Sequence, residues 1–562
     1  MSTAPRGPAA AAADPPFTEA DRRVLARHFT SVDGPVFALR NLPEATRAAL
    51  FARYSRSGKS LRRLFLDEFR ATTEGDGEEG RDGRGDAIGA GRARDLFARV
   101  LTEYGDDSVA QLAGAHVACE GISNLCTKAV EWGRFGAYLE QSTRYVAYTD
   151  RPGGRFRYHV PEEVEAGGLG VPYRRAMDRA FQTYGELLPA LRRALDATVP
   201  AAPDPVARRR AIRAAALDGA RGLLPVAATA NVGIFASAQA FEALLLRLRV
   251  HRLAEARALG DAIQGALLPV IPDFLVRLDQ PERGGAWTGY LARLEGDVAR
   301  LAAEIPANAG PPAPPGGEPT VRLVRWDPAG ERAVVAGALF PHARGPLSQV
   351  RAFVDGLTAE GLGQAVATVV GPRTNRRHRP GRGLEHTEYV FEIVCDYGAF
   401  RDLQRHRPAT LVWQGLGPEL GSQVPDLVEA AGHRATWDGA IGELEALHGL
   451  VRERCPDAAP YALALAHRVR WTLCCNAREA MHIIELRSQP QGHPEYRRVA
   501  QAMLAAIRDV AGHRHLAEAM RFADLEPPGP ADIGRLAAEL RLAGRQAHDR
   551  GPDGAADGLR PA

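Results

Sequence analysis

Lysine is almost absent from this 562-residue chain: all but two of its 71 basic residues are arginine, the exceptions being Lys59 and Lys128. Against 68 acidic residues the net charge is only +3, which gives no dedicated nucleic-acid footprint. Long hydrophobic runs are missing too. Stretches such as Ala243 to Leu246 fall far short of the ~18–20 apolar residues that span a bilayer. Cysteine is scarce, with six residues and neither a C-x-x-C pair nor a Cys/His spacing suited to zinc. That argues against a disulfide framework, offers no metal site, and points to a reducing, cytoplasmic setting. Met1 to Pro16 is Ala- and Pro-rich without a basic start and apolar stretch, so a disordered leader is expected rather than a signal peptide.

What remains is an ordinary globular composition, 45% hydrophobic and 25% charged, over a length that calls for at least two domains. Glu304 to Thr320 (EIPANAGPPAPPGGEPT) reads as a Pro/Gly linker, and Thr72 to Arg92 as a flexible, charged, Gly-rich insertion. The expected division is a first domain at 17–303, a linker at 304–319, a second domain at 320–527 and a tail at 528–562. Both domains carry a strand-like stretch, an Arg-containing turn and a late Leu/Arg-rich helix, which reads as a degenerate internal duplication. Tyr389 to Cys395, rich in β-branched and aromatic residues, predicts a strand. Asn476 to Arg487 lacks Pro and Gly and predicts a helix, with Leu473, Ala477, Ala480, Met481 and Ile484 assigned to its apolar face.

Several clusters have the chemistry of an anion site. Gln404-Arg405-His406-Arg407 is expected at a strand end, and its guanidiniums suit phosphate oxygens. On the late helix Asn476 and Arg487 edge the apolar face on one side, Arg478 and His482 on the other. Glu140-Gln141-Ser142-Thr143-Arg144-Tyr145 offers acceptor, hydroxyl, guanidinium and phenol within six residues. By spacing alone each also fits a solvated helix or loop. Ser57-Gly58-Lys59-Ser60 ends like a phosphate loop, but Arg53 stands where an earlier glycine is required. No G-x-S-x-G stands out, and His378, inside the Arg376 to Arg382 cluster, belongs to no metal spacing.

Together these pieces resemble the flavin-dependent thymidylate synthases. That family's signature is an Arg-His-Arg triplet followed by spaced Ser, Asn-Glu, Ser and Arg-Tyr, then a helix with Asn-x-Arg, a His or Asn, and a further Arg. Here the signature is divided. Arg405, His406 and Arg407 match the triplet, but Val412, Trp413, Gly415, Gly417 and Pro418 follow it. In the first half the triplet is Trp132-Gly133-Arg134, while Glu140, Ser142, Arg144 and Tyr145 are in place. Asn476, Arg478, His482 and Arg487 match the helix, where the first half has Ser237, Gln239, Ala243 and Leu248. Conversely, the arginine before Leu-Pro is kept as Arg221, with Pro460 at the second half's position.

The resemblance implies an α/β (α+β) fold with two tandem copies of a mixed, largely antiparallel sheet packed with helices. It implies reductive methylation of dUMP to dTMP, with FAD as cofactor and methylenetetrahydrofolate and NADPH as co-substrates. Arg405, His406, Arg407, Asn476, Arg478 and His482 would face FAD. Glu140, Ser142, Arg144 and Arg221 would hold dUMP, and Arg487 would be both a substrate ligand and the catalytic residue. Because the family's sites lie between subunits of a homotetramer, a homodimer of fused halves would act as a pseudo-tetramer. The alternatives are a catalytically silent flavin- or nucleotide-binding relative and, through Arg376 to Arg382, a nucleic-acid binder.

Overall fold

In the computed structural model, residues 15–70, 107–306, 319–529 and 536–541 are described. The 72–92 insertion, the leader up to residue 14, and most of the linker and tail lie outside them; within the tail, 536–541 is helical. The described chain forms two compact units: 15–70, 107–120, 135–140 and 231–306 make one, and 121–134, 141–230, 319–529 and 536–541 the other.

The first repeat runs β1 (Gly114–Ser123), α1 (Asn124–Val130), β2 (Gly136–Glu140), α2 (Gly170–Thr198), α3 (Pro205–Ala220), β3 (Thr229–Ser237) and α4 (Ala238–Arg249). The second runs β4 (Thr320–Trp326), β5 (Glu388–Asp396), α5 (Tyr397–Leu403), β6 (Thr410–Trp413), α6 (Arg434–Arg454), β7 (Arg468–Asn476), α7 (Ala477–Arg487) and α8 (Pro494–Asp509). The expected mixed α/β (α+β) class holds, with one sheet per repeat. Their strand orders correspond, β1-β3-β2 and β4-β5-β7-β6, with β4 an added edge. β2 pairs antiparallel with β3, Gly136 opposite Ala236, and β5 antiparallel with β7, Glu388 opposite Asn476.

Local chemistry explains why strands turn straight into helices here. The last residue of β1, β3 and β7 is Ser123, Ser237 and Asn476, and that of β5 is Asp396. Each is an extended N-cap whose side chain accepts a backbone N–H of the following turn. The period-two pattern of β7 buries Val469, Trp471, Leu473 and Cys475. Leu473 thus belongs to the strand and not to the apolar face of the following helix. The Arg-His-Arg triplet also differs from expectation. It sits in the turn after the seven-residue helix α5, not directly after a strand.

In the second unit the repeats meet along their equivalent segments. Pro225 bridges Ala464; Val226 N–H donates to Leu463 O at 2.7 Å, and Leu465 N–H to Leu224 O at 2.9 Å. The same relation holds one layer out. Asn124 N–H donates to Ala228 O, and Tyr397 N–H to His467 O, both at 2.9 Å. Such paired bonds describe a local pseudo-twofold axis, with Arg221 corresponding to Pro460. Gly222 allows the approach, since a Cβ there would lie 2.7 Å from Cη2 of the fully buried Trp437 and 3.2 Å from Ala466 Cβ. Gly222→Ala is therefore expected to cost about 1–3 kcal/mol by overpacking. A lowered urea midpoint for the full chain would register this; an unchanged midpoint would mean that the seam tolerates the methyl.

Candidate functional site

Within the second unit a small pocket is lined by Ser142, Thr143, Arg144 and Arg221 of the first repeat and Gly398, Arg401, Asp402 and Arg405 of the second. Arg221 opens the seam, α5 supplies Arg401 and Asp402, and the following turn supplies Arg405. Arg144 grips Asp218 bidentately, Nε to Oδ1 and Nη2 to Oδ2, both at 2.8 Å. Its Nη1 donates to Tyr496 Oη at 2.8 Å and its Nη2 also to Gln491 O at 3.0 Å. Arg221 Nη1 donates to Asp402 Oδ2 at 3.1 Å, and Arg405 lies 3.6 Å from Asp402 Oδ1. Burial alone would raise Asp402, but Arg221, Arg405, Arg144 and Arg487 outweigh it and hold the carboxyl far below its usual range. Four lining guanidiniums against the carboxylates of Asp402 and Asp218 leave an excess of positive charge suited to a dianion.

Beside the pocket, Arg487 Nε donates to His406 Nε2 at 2.8 Å, which puts the imidazole proton on Nδ1, facing Glu479 Oε1 at 3.2 Å. Burial, then Arg487 and His482, push His406 well below the normal imidazole range, so it is neutral at pH 7. His482 meets the His406 ring edge-on at 5.4 Å and is lowered to about 4, mainly by burial and then by Arg379 and Arg487. Burial raises Glu479 to about 7. Tyr496 lies between guanidiniums of the two repeats, its ring 5.5 Å from Arg144 Cζ and 5.4 Å from Arg487 Cζ. His406, Glu479 and His482 bring ligand atoms within 4.8 Å of one another, a spacing that a metal ion could use. The arginines that depress both histidines create a field that favours anions instead.

The remaining candidates are placed as follows. Asn476 caps α7 by accepting Glu479 N–H at 2.9 Å. Arg478 donates through Nε to Pro380 O at 2.9 Å and through Nη1 to Glu385 Oε1 at 3.3 Å. Arg407 is half-buried in the turn after Arg405 and His406. Glu140 ends β2, buried, in the first unit. Asp218, Asp402, Glu479 and Tyr496 are absent from the candidates drawn from the sequence. The signal that could have found them is electrostatic, because a buried guanidinium needs a carboxylate, and Asp218 and Asp402 each precede a key arginine by three residues. Asp218→Asn, which leaves Arg144 without its counter-charge, should cost about 3 kcal/mol or more in denaturant unfolding. Asp426→Asn, which breaks the half-exposed pair with Arg498, should cost less than about 1 kcal/mol. Equal losses would show that the Arg144 pair is not the buried anchor described.

The model of the thymidylate synthase complementing protein family matches residues 44–273 and 371–512. The UPF0159 protein of Chlamydia muridarum is 34% identical over 533 residues, covering 93% of this chain and 98% of the relative. That of Chlamydia pneumoniae is 35% identical with the same coverages, and that of Thermoplasma acidophilum is 29% identical over 88% of this chain and 98% of its own. Among solved structures, the UMP/dUMP methylase PolB of Streptomyces cacaoi, bound with 5-Br dUMP, aligns at 20% identity and TM-score 0.31 over 38% of this chain and 99% of its own. Thymidylate Synthase X of Helicobacter pylori, with FAD and dUMP, aligns at 21% and 0.28 over 36% and 98%. With the family model matching both repeats, the chain belongs to the thymidylate synthase complementing protein family, the flavin-dependent thymidylate synthases.

Proposed function

We propose that the chain is an FAD-dependent thymidylate synthase with one composite centre, converting dUMP to dTMP with methylenetetrahydrofolate and NADPH. One observation carries this reading. The signature pieces that survive separately, Ser142, Arg144 and Arg221 in one repeat and Arg405 in the other, line a single pocket. The dUMP phosphate would take the positive charge of Arg144 and Arg221, with the Ser142 hydroxyl as a further partner and Arg405 at the pocket wall shared between this anion and the cofactor. Arg487, largely removed from solvent and directed by His406, would hold the uracil and stabilise charge developing on the ring.

The donor set around α7 suits a diphosphate-bearing cofactor. Arg405, Arg407 and Arg478 are cations, Asn476 is an amide, and His406 and His482 are neutral imidazoles at pH 7. These six would hold FAD, which supplies the hydride when bound. His406 and His482, kept neutral by burial, donate or accept hydrogen bonds without adding charge. The domains at 17–303 and 320–527 would be the two halves of the fusion, and a homodimer would restore the family's four-fold assembly. A silent, ligand-binding relative is the second reading. Asp402 favours it, because this carboxylate already pairs with Arg221 and Arg405 where a substrate anion would sit.

The deciding assay is dTMP formation from dUMP, methylenetetrahydrofolate, NADPH and FAD by the full chain. Activity is expected, with at least a hundredfold loss in Arg405→Ala and in Arg144→Ala, about the scale of removing one preorganised charged contact. Flavin should bind at one equivalent per chain, because the counterpart positions hold Trp132, Gly133, Leu248 and Pro460. Flavin binding without any dTMP would favour the silent relative; two flavins per chain would exclude a single composite centre.

A further inference from the structure

Behind Arg221, on the side away from Arg405, lies a second cavity of about 60 Å³, room for several water molecules. It is lined by Asp396, Gly398, His493 and Glu495 as well as Arg221, and exposed Asp426 and Gly529 stand at its rim. Arg221 and Gly398 therefore form the partition between this cavity and the arginine pocket. Glycine at 398 lets the two side chains come close, since a Cβ there would lie 3.2 Å from Arg221 Nη2 and 3.3 Å from Asp396 Oδ1 and would press on both. Arg221 Nη2 is buried on this lining without a hydrogen-bond partner, and the buried Glu495 carboxyl makes no well-formed hydrogen bond, though the backbone N–H of Asp396 faces it. Glu495 is 1% exposed, and Arg498 Nη1 lies 3.8 Å from its Oε2.

We propose that Asp396 and Glu495 form a proton-exchanging carboxyl pair behind Arg221, so that a dianion entering the arginine pocket draws one proton from solvent onto the pair. The inference deepens the reading of that pocket as the substrate-phosphate site and rests on it. Asp396 shares Arg221 with Asp402. A dianion that engages Arg221 removes the charge that keeps Asp396 ionised and adds its own negative field a few ångströms away. The new O–H bond forms on a carboxylate oxygen, and the proton comes from buffer through the rim.

The groups facing the pair come from several elements. Arg221 stands at the seam, Arg468 on β7, Arg498 on α8, Asp402 on α5 and Asp218 on α3. Asp426 stands exposed at the rim, and His493 is the titratable group beside Glu495. Its Nδ1 accepts Glu495 N–H at 3.3 Å, and its Nε2 faces Asp218 O at 3.4 Å. With Nδ1 so occupied and burial pushing it well below the imidazole range, His493 stays neutral. Burial, and then each carboxylate's effect on the other or its neighbours, raises both Glu495 and Asp396 above the usual carboxyl range. The pair thus titrates near neutrality, where uptake can be read. Asp396 also caps α5, the helix that carries Arg401 and Asp402, so its charge bears on the pocket through two routes.

The test uses inorganic sulfate, a dianion with no titration in this range, bound to the full chain and followed calorimetrically in buffers of different ionisation enthalpy. Between about pH 6 and 8, sulfate should bind with proton uptake and weaken as pH rises, by up to about tenfold per pH unit at full coupling. Arg405→Ala should abolish the binding, which assigns it to the pocket. Asp396→Asn keeps the helix cap and should bind sulfate without uptake or pH dependence; Glu495→Gln, which mimics the protonated partner, should reduce the uptake. Uptake that persists in Asp396→Asn, or disappears only in His493→Asn, overturns the proposal. Sulfate bound without uptake overturns it while leaving the synthase reading intact, and proton-coupled binding without dTMP formation does the reverse. Failure of sulfate to bind at any pH would remove the anion pocket and both readings with it.

Discussion

Arg221 reaches Asp402 at 3.1 Å from the other repeat, and both side chains are nearly removed from solvent. Neither charge would be tolerable there alone, because an unpaired buried ion costs several kcal/mol, of order 3–5 when one partner is deleted. The pair is affordable only where backbone bonds fix both segments. The seam does this: strand-like hydrogen bonds between 222–226 and 463–466 leave Arg221 little freedom, while the Asp396 cap starts α5 in the register that presents Asp402. Arg144 and Asp218 repeat the solution a few residues away. The pocket is thus a product of two ion pairs whose geometry is set by main chain.

A pseudo-twofold axis through that seam would, in a symmetric protein, generate two equivalent pockets. In this chain the two sets of positions differ, and the arginines line one of them. At the counterpart of Arg405 stands Trp132, whose ring meets Trp413 edge-on at 6.0 Å and whose Nε1 donates to Leu411 O at 3.3 Å. At the counterpart of Arg401 stands Lys128, buried and paired with Glu131 at 2.7 Å. At these counterpart positions the side chains serve packing and internal pairing. Removing a cluster of like charges from one face relieves repulsion there, and the surviving pocket is the one in which carboxylates still hold the arginines apart.

Much of this was legible in the chain. The β-branched and aromatic run around Tyr389 to Cys395 predicts β5, and the Pro- and Gly-free stretch to Arg487 predicts α7, because periodic burial dominates in both. The match of Arg221 to Pro460 emerges from the motif order and reappears in the bridge of Pro225 to Ala464. Helix α5 was not legible: seven residues give too few turns for a period to register, and its start depends on the Asp396 cap. The counter-ions were hidden for a different reason. Asp218 and Arg144 are separated by 74 residues, and Asp402 and Arg221 by 181. No local pattern records a partner chosen by tertiary proximity.

The charge distribution also decides what kind of ligand the centre accepts. Two histidines beside a carboxylate would ordinarily invite a divalent cation, yet His406 and His482 are depressed by burial and by Arg487 or Arg379, not raised by Glu479. Glu479 itself is pushed up toward neutrality, so it supplies little negative charge to a cation. The Nε2 lone pair of His406 accepts from Arg487 and its Nδ1–H points at Glu479, which leaves this ring no lone pair for a cation. The same burial that keeps these imidazoles neutral strengthens the field of the surrounding guanidiniums, because low dielectric magnifies every unscreened charge. A site built this way gains most from a ligand carrying two negative charges, and it places neutral hydrogen-bonding groups next to them.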